Sequence, residues 1–278
     1  MRGGVDRLSP LLRWTLVAFA GLALTAGGLL TFGASGTDDW FSWTIEPPLT
    51  AAALGAFYWG AFVLLAAAAS ARGWDGARPI VLPVLAIAIA LLVITLIHLD
   101  KFDMDSVFGV FWLCAYIAAP LLLVAGIALE RRRSGSGRRQ APSAAEPRSL
   151  GRPLRAALAL EGVAMLTAAA VMLLAPDTAA DLWPWALTPL TSRALGAFVL
   201  GVALVALFVA RESRIELFRE TALALTVLAA LQLLAVAIHG GDLGDDDVAT
   251  ALYVGFWAVL LATGAYALAS ASRAFSSS

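Results

Sequence analysis

The chain contains few of the residues on which many common chemistries depend. It has one cysteine, Cys114, so neither an internal disulfide nor a CxxC redox pair can form. Two histidines, His98 and His239, are too few for the ligand set of a di-iron protein. The only lysine, Lys101, follows an apolar run, and no P-loop, nucleophile elbow or HExxH motif occurs. These absences favour a protein that is not an enzyme.

Charged residues are also scarce, whereas apolar residues are abundant. Only 14% of the chain is charged and 60% is hydrophobic, while soluble domains are usually about 25% charged. The apolar runs are long enough to cross about 30 Å of hydrocarbon, and they must be helical because lipid offers the backbone no hydrogen bonds. The sequence predicts eight transmembrane helices, at about residues 11–33, 50–71, 79–98, 106–129, 153–175, 190–210, 217–239 and 248–270.

An internal repeat relates the two halves of the chain. Residues 48–60 read PLTAAALGAFYWG and residues 189–201 read PLTSRALGAFVLG, with nine of thirteen positions identical at an offset of 141. The same offset relates His98 to His239. The first predicted helix corresponds to residues 153–175 in mid-chain, so we interpret it as a transmembrane helix rather than a cleaved signal peptide.

Each copy contains four predicted helices, and this even number makes both copies enter the membrane in the same direction. Parallel repeats are related by an axis along the membrane normal. The sequence thus predicts an all-α membrane protein with eight transmembrane helices, built as two parallel four-helix repeats about a pseudo-twofold axis. The first repeat covers residues 1–130, a linker covers 131–152 and the second repeat covers 153–278.

The charges divide between the two sides of the predicted bundle. Basic residues mark cytoplasmic segments. With the N-terminus inside, 17 of the 19 basic residues fall on the inner side and twelve acidic residues fall on the outer side. This pattern predicts cytoplasmic N- and C-termini. The acidic outer face either attracts a cationic ligand or reflects only the avoidance of arginine in outer loops.

The linker, residues 131–152, is rich in arginine, serine, glycine and proline, a composition typical of a flexible, solvated segment. Its arginines either bind anionic lipid headgroups or serve only to set the topology. Without interleaved aromatic residues or a folded module around it, nucleic-acid binding is not expected.

Small residues recur at equivalent places in the second predicted helix of each copy. They are Gly55, Ala56 and Gly60 in the first copy and Gly196, Ala197 and Gly201 in the second. Small residues spaced four apart let a neighbouring helix approach closely, so we predict that these residues pack helices together.

Paired tryptophans precede these two helices: Trp40 and Trp43 in the first copy, and Trp183 and Trp185 in the second. Because indole rings favour the membrane–water boundary, we predict that they anchor the protein there. An aromatic cage for a cation or a sugar is the alternative.

The two histidines each end the third predicted helix of a copy, and acidic loops follow both. About a pseudo-twofold axis the imidazoles of His98 and His239 would lie at equal depth. With Asp103 and Asp242 they would suit a divalent metal, and as a pair they could ligate a haem. A proton-sensing pair, or histidines that merely bond a loop carbonyl, are the alternatives.

One carboxylate breaks the symmetry of the repeat. Glu161 lies within the fifth predicted helix, where the first copy has Ala20. An ionisable side chain inside a membrane is costly and is a candidate for handling protons or cations. Gln232 in the seventh helix is its candidate partner, and Arg155 is another. A purely structural hydrogen bond is the competing interpretation.

Two resemblances bear on location and chemistry. Residues 183–198, WPWALTPLTSRALGAF, and their weaker counterpart in the first copy resemble segments of uncharacterised multi-pass membrane proteins of high-GC bacteria. This resemblance implies the bacterial inner membrane and no particular activity. The eight-helix, two-copy plan is also similar to that of the haem A synthases, which have a histidine pair in each half where this chain has one histidine.

Three functions remain open from the sequence. The first is transport of a cation or small polar solute along the repeat interface, with the histidines at the outer mouth and Glu161 within. The second is a non-catalytic accessory or scaffold subunit of a membrane or envelope complex. The third is a redox protein that handles haem or a metal.

Overall fold

The computed structural model describes residues 7–136, 151–212 and 215–276. These residues form helices and connections without any β-strand. The α-helices are α1 (Pro10–Phe32), α2 (Thr37–Trp40), α3 (Pro48–Ser70), α4 (Trp74–Ile97), α5 (Val107–Ser136), α6 (Arg152–Leu174), α7 (Pro176–Asp181), α8 (Pro189–Glu212), α9 (Ile215–Ile238) and α10 (Asp247–Ser276). Of these described helices, all but the short α2 and α7 are long and apolar enough to cross a membrane. The chain is therefore a polytopic helical membrane protein.

The long helices follow the predicted ones except at the start of α4 and at the ends of α5 and α10, which extend seven and six residues beyond the predicted bounds. The sequence predicts that this helix begins near Pro79, whereas it begins at Trp74 and contains both Pro79 and Pro83. Its first four backbone amides need no partner within the helix, and Asp75 in that turn interacts favourably with the helix dipole. The extra turn is therefore stable ahead of the prolines.

The predicted linker lies mostly beyond what the structure describes. Residues 131–136 continue α5, and α6 begins at Arg152. The predicted contact with anionic lipid falls largely on residues 137–150, which are outside the described residues.

Helices α3 and α8 form the centre of the bundle. In their most apolar stretches 61% and 67% of residues are buried, against 22% to 44% in the other long helices. Helix α1 packs along α3 and α6 along α8, while α3 also packs against α9 and α8 against α4. Ala56 and Ala197 are buried within α3 and α8. The central helices thus join the N-terminal half of the chain to the C-terminal half.

The first glycine of each predicted motif lies against a helix of its own half. A Cβ atom added at Gly55 would lie 2.8 Å from Thr31 Oγ1 and 3.0 Å from the Thr31 backbone nitrogen in α1. A Cβ atom added at Gly196 would lie 2.8 Å from Met172 Cβ in α6. These spacings leave room for a hydrogen atom but not for a methyl group.

The second glycine of each motif lies against a helix of the other half. A Cβ atom at Gly60 would lie 3.3 Å from Leu228 Cβ in α9. At Gly201 it would overlap the side chain of Ile87 in α4. Each central helix therefore has one close contact within its own half and one across the interface between halves.

Candidate functional site

An acidic cleft opens between the beginnings of α3 and α8. The connections at this end of the bundle are residues 33–47, 98–106, 175–188 and 239–246, and we name it the acidic end; the opposite end is the basic end. The cleft has a volume of about 590 Å³. Its lining includes residues 44–48 and 186–188, which are equivalent segments of the two copies, and also residues of the α1–α2 region.

Two carboxylates give this cleft its charge. Asp38 and Glu46 are part of the lining and both are exposed, whereas none of the described lining residues is basic. Carboxylates in a concave surface raise the local concentration of cations. The acidic cleft can therefore collect cations.

A second, apolar cleft lies deeper, between α3, α4, α8 and α9. Its volume of about 30 Å³ is enough for a water molecule but not for a hydrated ion. Most of the lining consists of equivalent pairs from the two copies: Phe57 and Phe198, Gly60 and Gly201, Ala61 and Val202, Leu64 and Val205, Pro83 and Ala224, Val84 and Leu225, and Ile87 and Leu228. Thr221 is the one polar residue of the lining. We name it the central cleft.

Packed protein separates the acidic cleft from the central cleft. Residues 49–56 of α3 lie between their linings and are all buried. At 1.5 Å per residue, this segment corresponds to roughly 12 Å of closed structure. The interface between the two halves is therefore closed in the middle.

His98 and Arg193 form a polar contact between the halves at the acidic end. Arg193 Nη1 lies 2.8 Å from His98 Nε2, and Arg193 Nε donates to the Leu173 carbonyl oxygen at 3.2 Å. Because arginine has no acceptor, His98 Nε2 must accept, which requires a neutral imidazole. Burial, followed by the charge of Arg193, lowers the pKa of His98 from its ordinary value of 6.5; Asp100 opposes the shift.

Two further contacts join the halves at the acidic end. Asp242 Oδ2 accepts a hydrogen bond from the backbone amide of Leu49 at 2.9 Å, so a carboxylate from the second half caps the first turn of α3. Trp185 Nε1 donates to Thr50 Oγ1 at 2.8 Å, one residue further along the same helix. Thr50 in the first half thus binds a tryptophan of the second half.

At the basic end an ion pair joins the same two halves. The Arg78 guanidinium in α4 binds the Glu212 carboxylate in α8, and both side chains are partly exposed. Exposed ion pairs are worth about 0–1 kcal/mol and are easily broken. The interface therefore has polar contacts at both ends.

Gln232 connects three helices within the membrane-spanning region. Its side chain is fully buried, its Nε2 donates to the Ala53 carbonyl oxygen at 3.0 Å, and its Oε1 accepts from Tyr253 at 2.7 Å. It therefore links α9 to α3 and α10. Gln232 therefore does not pair with Glu161 as predicted, because both its amide nitrogen and its amide oxygen have other partners.

Glu161 lies elsewhere, between α6 and α10. Its side chain is buried, and Thr263 donates to Oε1 at 2.7 Å. Among the described residues, the Oε2 atom has no hydrogen-bond partner. The sequence predicted Arg155 or Gln232 as the partner of Glu161, but the partner in the structure is a threonine on a neighbouring helix. The carboxyl group does not line the central cleft.

Two of the predicted anchors are buried rather than placed at the membrane surface. Trp43 packs edge-on against Trp112 with ring centres 4.8 Å apart, and Trp185 packs edge-on against Tyr253 at 5.0 Å. Trp43 is 5% exposed and Trp185 is 2% exposed. Edge-to-face packing against aromatic residues of α5 and α10 has withdrawn these rings from the lipid, and these neighbours occupy the space that a cage would need.

The other two tryptophans are only partly buried. The Trp40 ring packs against Phe41 at 5.7 Å, and the Trp183 ring packs against Trp185 at 5.3 Å. For Trp40 and Trp183 an anchoring role stays a prediction.

Three of the four predicted metal ligands have other contacts. His98 Nε2 receives the arginine described above, Asp242 caps α3, and Asp103 Oδ1 accepts from the backbone amide of Asp105 at 3.1 Å. His239 is partly buried at the equivalent helix end. Across the described residues, no group of three or more histidine, cysteine or acidic side chains is placed to hold a metal ion.

Sequence reasoning missed Arg193 and Thr263 as functional partners. Arg193 is one of only two basic residues assigned to the acidic end, and this exception was the available signal. Thr263 lies among apolar residues of α10 without any distinguishing pattern.

No family model matches the chain, and neither a curated protein nor a solved structure matches it.

Proposed function

We propose that the protein transports a cation or small polar solute across a bacterial inner membrane, along the axis between two parallel four-helix repeats. The observation that carries the proposal is that equivalent segments of the two copies meet at both the acidic cleft and the central cleft. The acidic cleft would receive the solute, and the central cleft would be the closed middle of the route.

The contacts between helices support a pseudo-twofold axis. The packing of α1 on α3 corresponds to that of α6 on α8, and the packing of α3 on α9 corresponds to that of α8 on α4. The loops agree: the Asp103 amide donates to the Ser42 carbonyl at 3.0 Å, and the Gly244 amide donates to the Pro184 carbonyl at 2.8 Å. The two donor residues are 141 positions apart in the sequence and the two acceptor residues are 142 positions apart, which matches the repeat offset of 141 to within one residue.

The charge distribution supports an orientation with the acidic end outside. Basic residues are retained on the cytoplasmic side of membrane proteins, and 17 of the 19 in the sequence belong to segments predicted for that side. Both termini would then be cytoplasmic. The resemblance to membrane proteins of high-GC bacteria supports the bacterial inner membrane.

Transport requires the closed interface to open. Ionic and hydrogen-bonded contacts, His98 with Arg193 at the acidic end and Arg78 with Glu212 at the basic end, close it at both ends. Such contacts can exchange one arrangement for another at modest cost. The packed middle, which includes the hydrogen bond from Gln232 to Ala53, has to separate as a unit. Glu161 is left out of this route because it bonds Thr263 of α10 and does not line the central cleft.

Flux through purified protein in liposomes tests the proposal. Sodium and potassium gradients would be imposed in turn and followed with a potential-sensitive dye. Ala61→Leu adds side-chain volume to the central cleft and should abolish flux, whereas the matched control Ala251→Leu, on an exposed position of α10, should not. Absence of flux above that of empty liposomes, or equal flux in Ala61→Leu and wild type, contradicts the proposal for these cations.

An accessory or scaffold role is the second candidate. It is favoured by the way the buried polar side chains at the interface, among them Gln232 and Thr50, bind groups of the other half. Such contacts suit a rigid assembly. A partner that stays bound in fixed stoichiometry through purification in mild detergent, together with no flux, would support this role. The hypothesis of a haem or metal centre has no comparable support from the contacts.

A further inference from the structure

Glu161 is buried close to the middle of a membrane-crossing helix. It lies nine residues after the start of α6 and thirteen before its end, which corresponds to about 14 Å and about 20 Å along the helix axis. Its side chain is 6% exposed. Neighbouring Leu160 and Val163 are 73% and 54% exposed on the outside of the bundle, where lipid would surround them.

Among the described residues, this carboxyl group has one hydrogen bond and no ion pair. Thr263 donates to Oε1 at 2.7 Å, while Oε2 is buried without a partner among the described residues. Next to it, Gly162 faces Ala203 and Leu207 of α8, which are apolar. On α6 itself the nearest basic residue is Arg155, six residues away, or about 9 Å along the axis.

We propose that Glu161 and Thr263 form a proton-binding site in the second half, in which Glu161 carries a proton when the site is closed and exchanges it with water when α6 and α10 separate. A buried carboxylate without a countercharge is unfavourable, and a proton removes that charge without further ligands. A metal ion would need several oxygen ligands, typically six or more for calcium and magnesium, and this site offers one carboxyl and one hydroxyl group.

The comparison of the two copies supports this assignment. At an offset of 141, Glu161 corresponds to Ala20 and Thr263 corresponds to Leu122. Both members of the hydrogen-bonded pair are thus polar in the second copy and apolar in the first. An equivalent polar pair is not needed to pack the corresponding helices α1 and α5, so packing alone does not account for Glu161 and Thr263. The inference goes beyond solute transport and does not require that the central cleft conducts anything.

Infrared spectroscopy of the full-length protein in lipid tests the site directly. A protonated carboxyl group has a carbonyl stretch well separated from that of a carboxylate, and the difference spectrum between wild type and Glu161→Gln isolates it. Glu130→Gln is the matched control, because Glu130 is equally buried but accepts a hydrogen bond from the Ser9 amide and lies 3.9 Å from Arg133. We expect the band in wild type and Glu130→Gln, and its loss in Glu161→Gln.

Two further measurements test exchange of the proton. The band should shift in D₂O, and it should weaken as pH rises, about tenfold per pH unit once the ionised form dominates. Thr263→Val removes the hydroxyl donor to Oε1 and should extend the band to higher pH, whereas Thr167→Val, whose hydroxyl bonds its own helix, should not. Absence of the band overturns the proposal, and so does a band that responds to neither D₂O nor pH.

Discussion

The glycines of α3 and α8 make a sharp prediction about stability, because the chain contains matched glycines in open positions. Gly55→Ala and Gly196→Ala place a methyl group 2.8 Å from atoms of α1 and α6, while Gly28→Ala in α1 and Gly255→Ala in α10 meet nothing within 4 Å. All four substitutions bring the same gain in helix propensity, up to about 1 kcal/mol. Only the first two bring a steric cost.

The magnitude follows from what the added methyl group meets. At Gly55 the neighbours include the Thr31 backbone nitrogen and at Gly196 the Met172 Cβ atom, neither of which can move without its helix. Overpacking of this kind costs about 1–3 kcal/mol. The two close-contact variants should therefore be less stable than the two controls by about 1–3 kcal/mol, since the propensity gain is common to all four.

Gly201→Ala provides an internal test of this reasoning. Its methyl group would come nearer to a neighbour than at Gly55, yet that neighbour is the end of the Ile87 side chain, which lines the central cleft and has room to move. We expect a smaller loss than at Gly55. Unfolding by SDS in mixed micelles, followed by tryptophan fluorescence, measures these differences. Close-contact variants and controls that agree within about 0.5 kcal/mol would refute the packing argument.

Three other substitutions test the polar contacts. Because the pKa of His98 is lowered in the folded protein, its contribution to stability should be complete above about pH 6.5 and be lost as pH falls through that lowered pKa. The His98→Gln substitution should flatten this part of the pH profile of the unfolding free energy. A wild-type profile without this slope would contradict the assignment. Asp242→Ala should lower the unfolding free energy by about 0.5–2 kcal/mol because it removes the cap of α3. Asp245→Ala, at an exposed position, should be near neutral. Equal effects of the two substitutions in the same SDS titration would contradict the capping contact. Gln232→Leu should cost about 1–3 kcal/mol because the Tyr253 hydroxyl loses its partner, and an unchanged unfolding curve would contradict that bond.

Local patterns in the sequence account for the architecture of the helices. Apolar runs of about 20 residues predict membrane-crossing helices because unpaired backbone groups are too costly in lipid, and the eight long helices follow from this alone. The small residues of the repeated PLT…ALGAF motif predicted close helix packing, and its glycines mark places where a neighbour can approach. These features depend only on residues close together in the chain.

The choice of partner between helices depended on the tertiary structure. Hydropathy and spacing indicate that Glu161 is buried, but whether it meets Thr263, Gln232 or Arg155 depends on the rotation and depth of α6 relative to α10. Likewise, His98 meets Arg193 because α4 of one half packs on α8 of the other.

That arrangement results from the combined packing of all the helices. In a membrane it is decided by van der Waals contacts and small residues rather than by a directional pattern in any one helix. The sequence alone therefore determined which segments enter the membrane, whereas the packing of α3 and α8 decided which side chains meet.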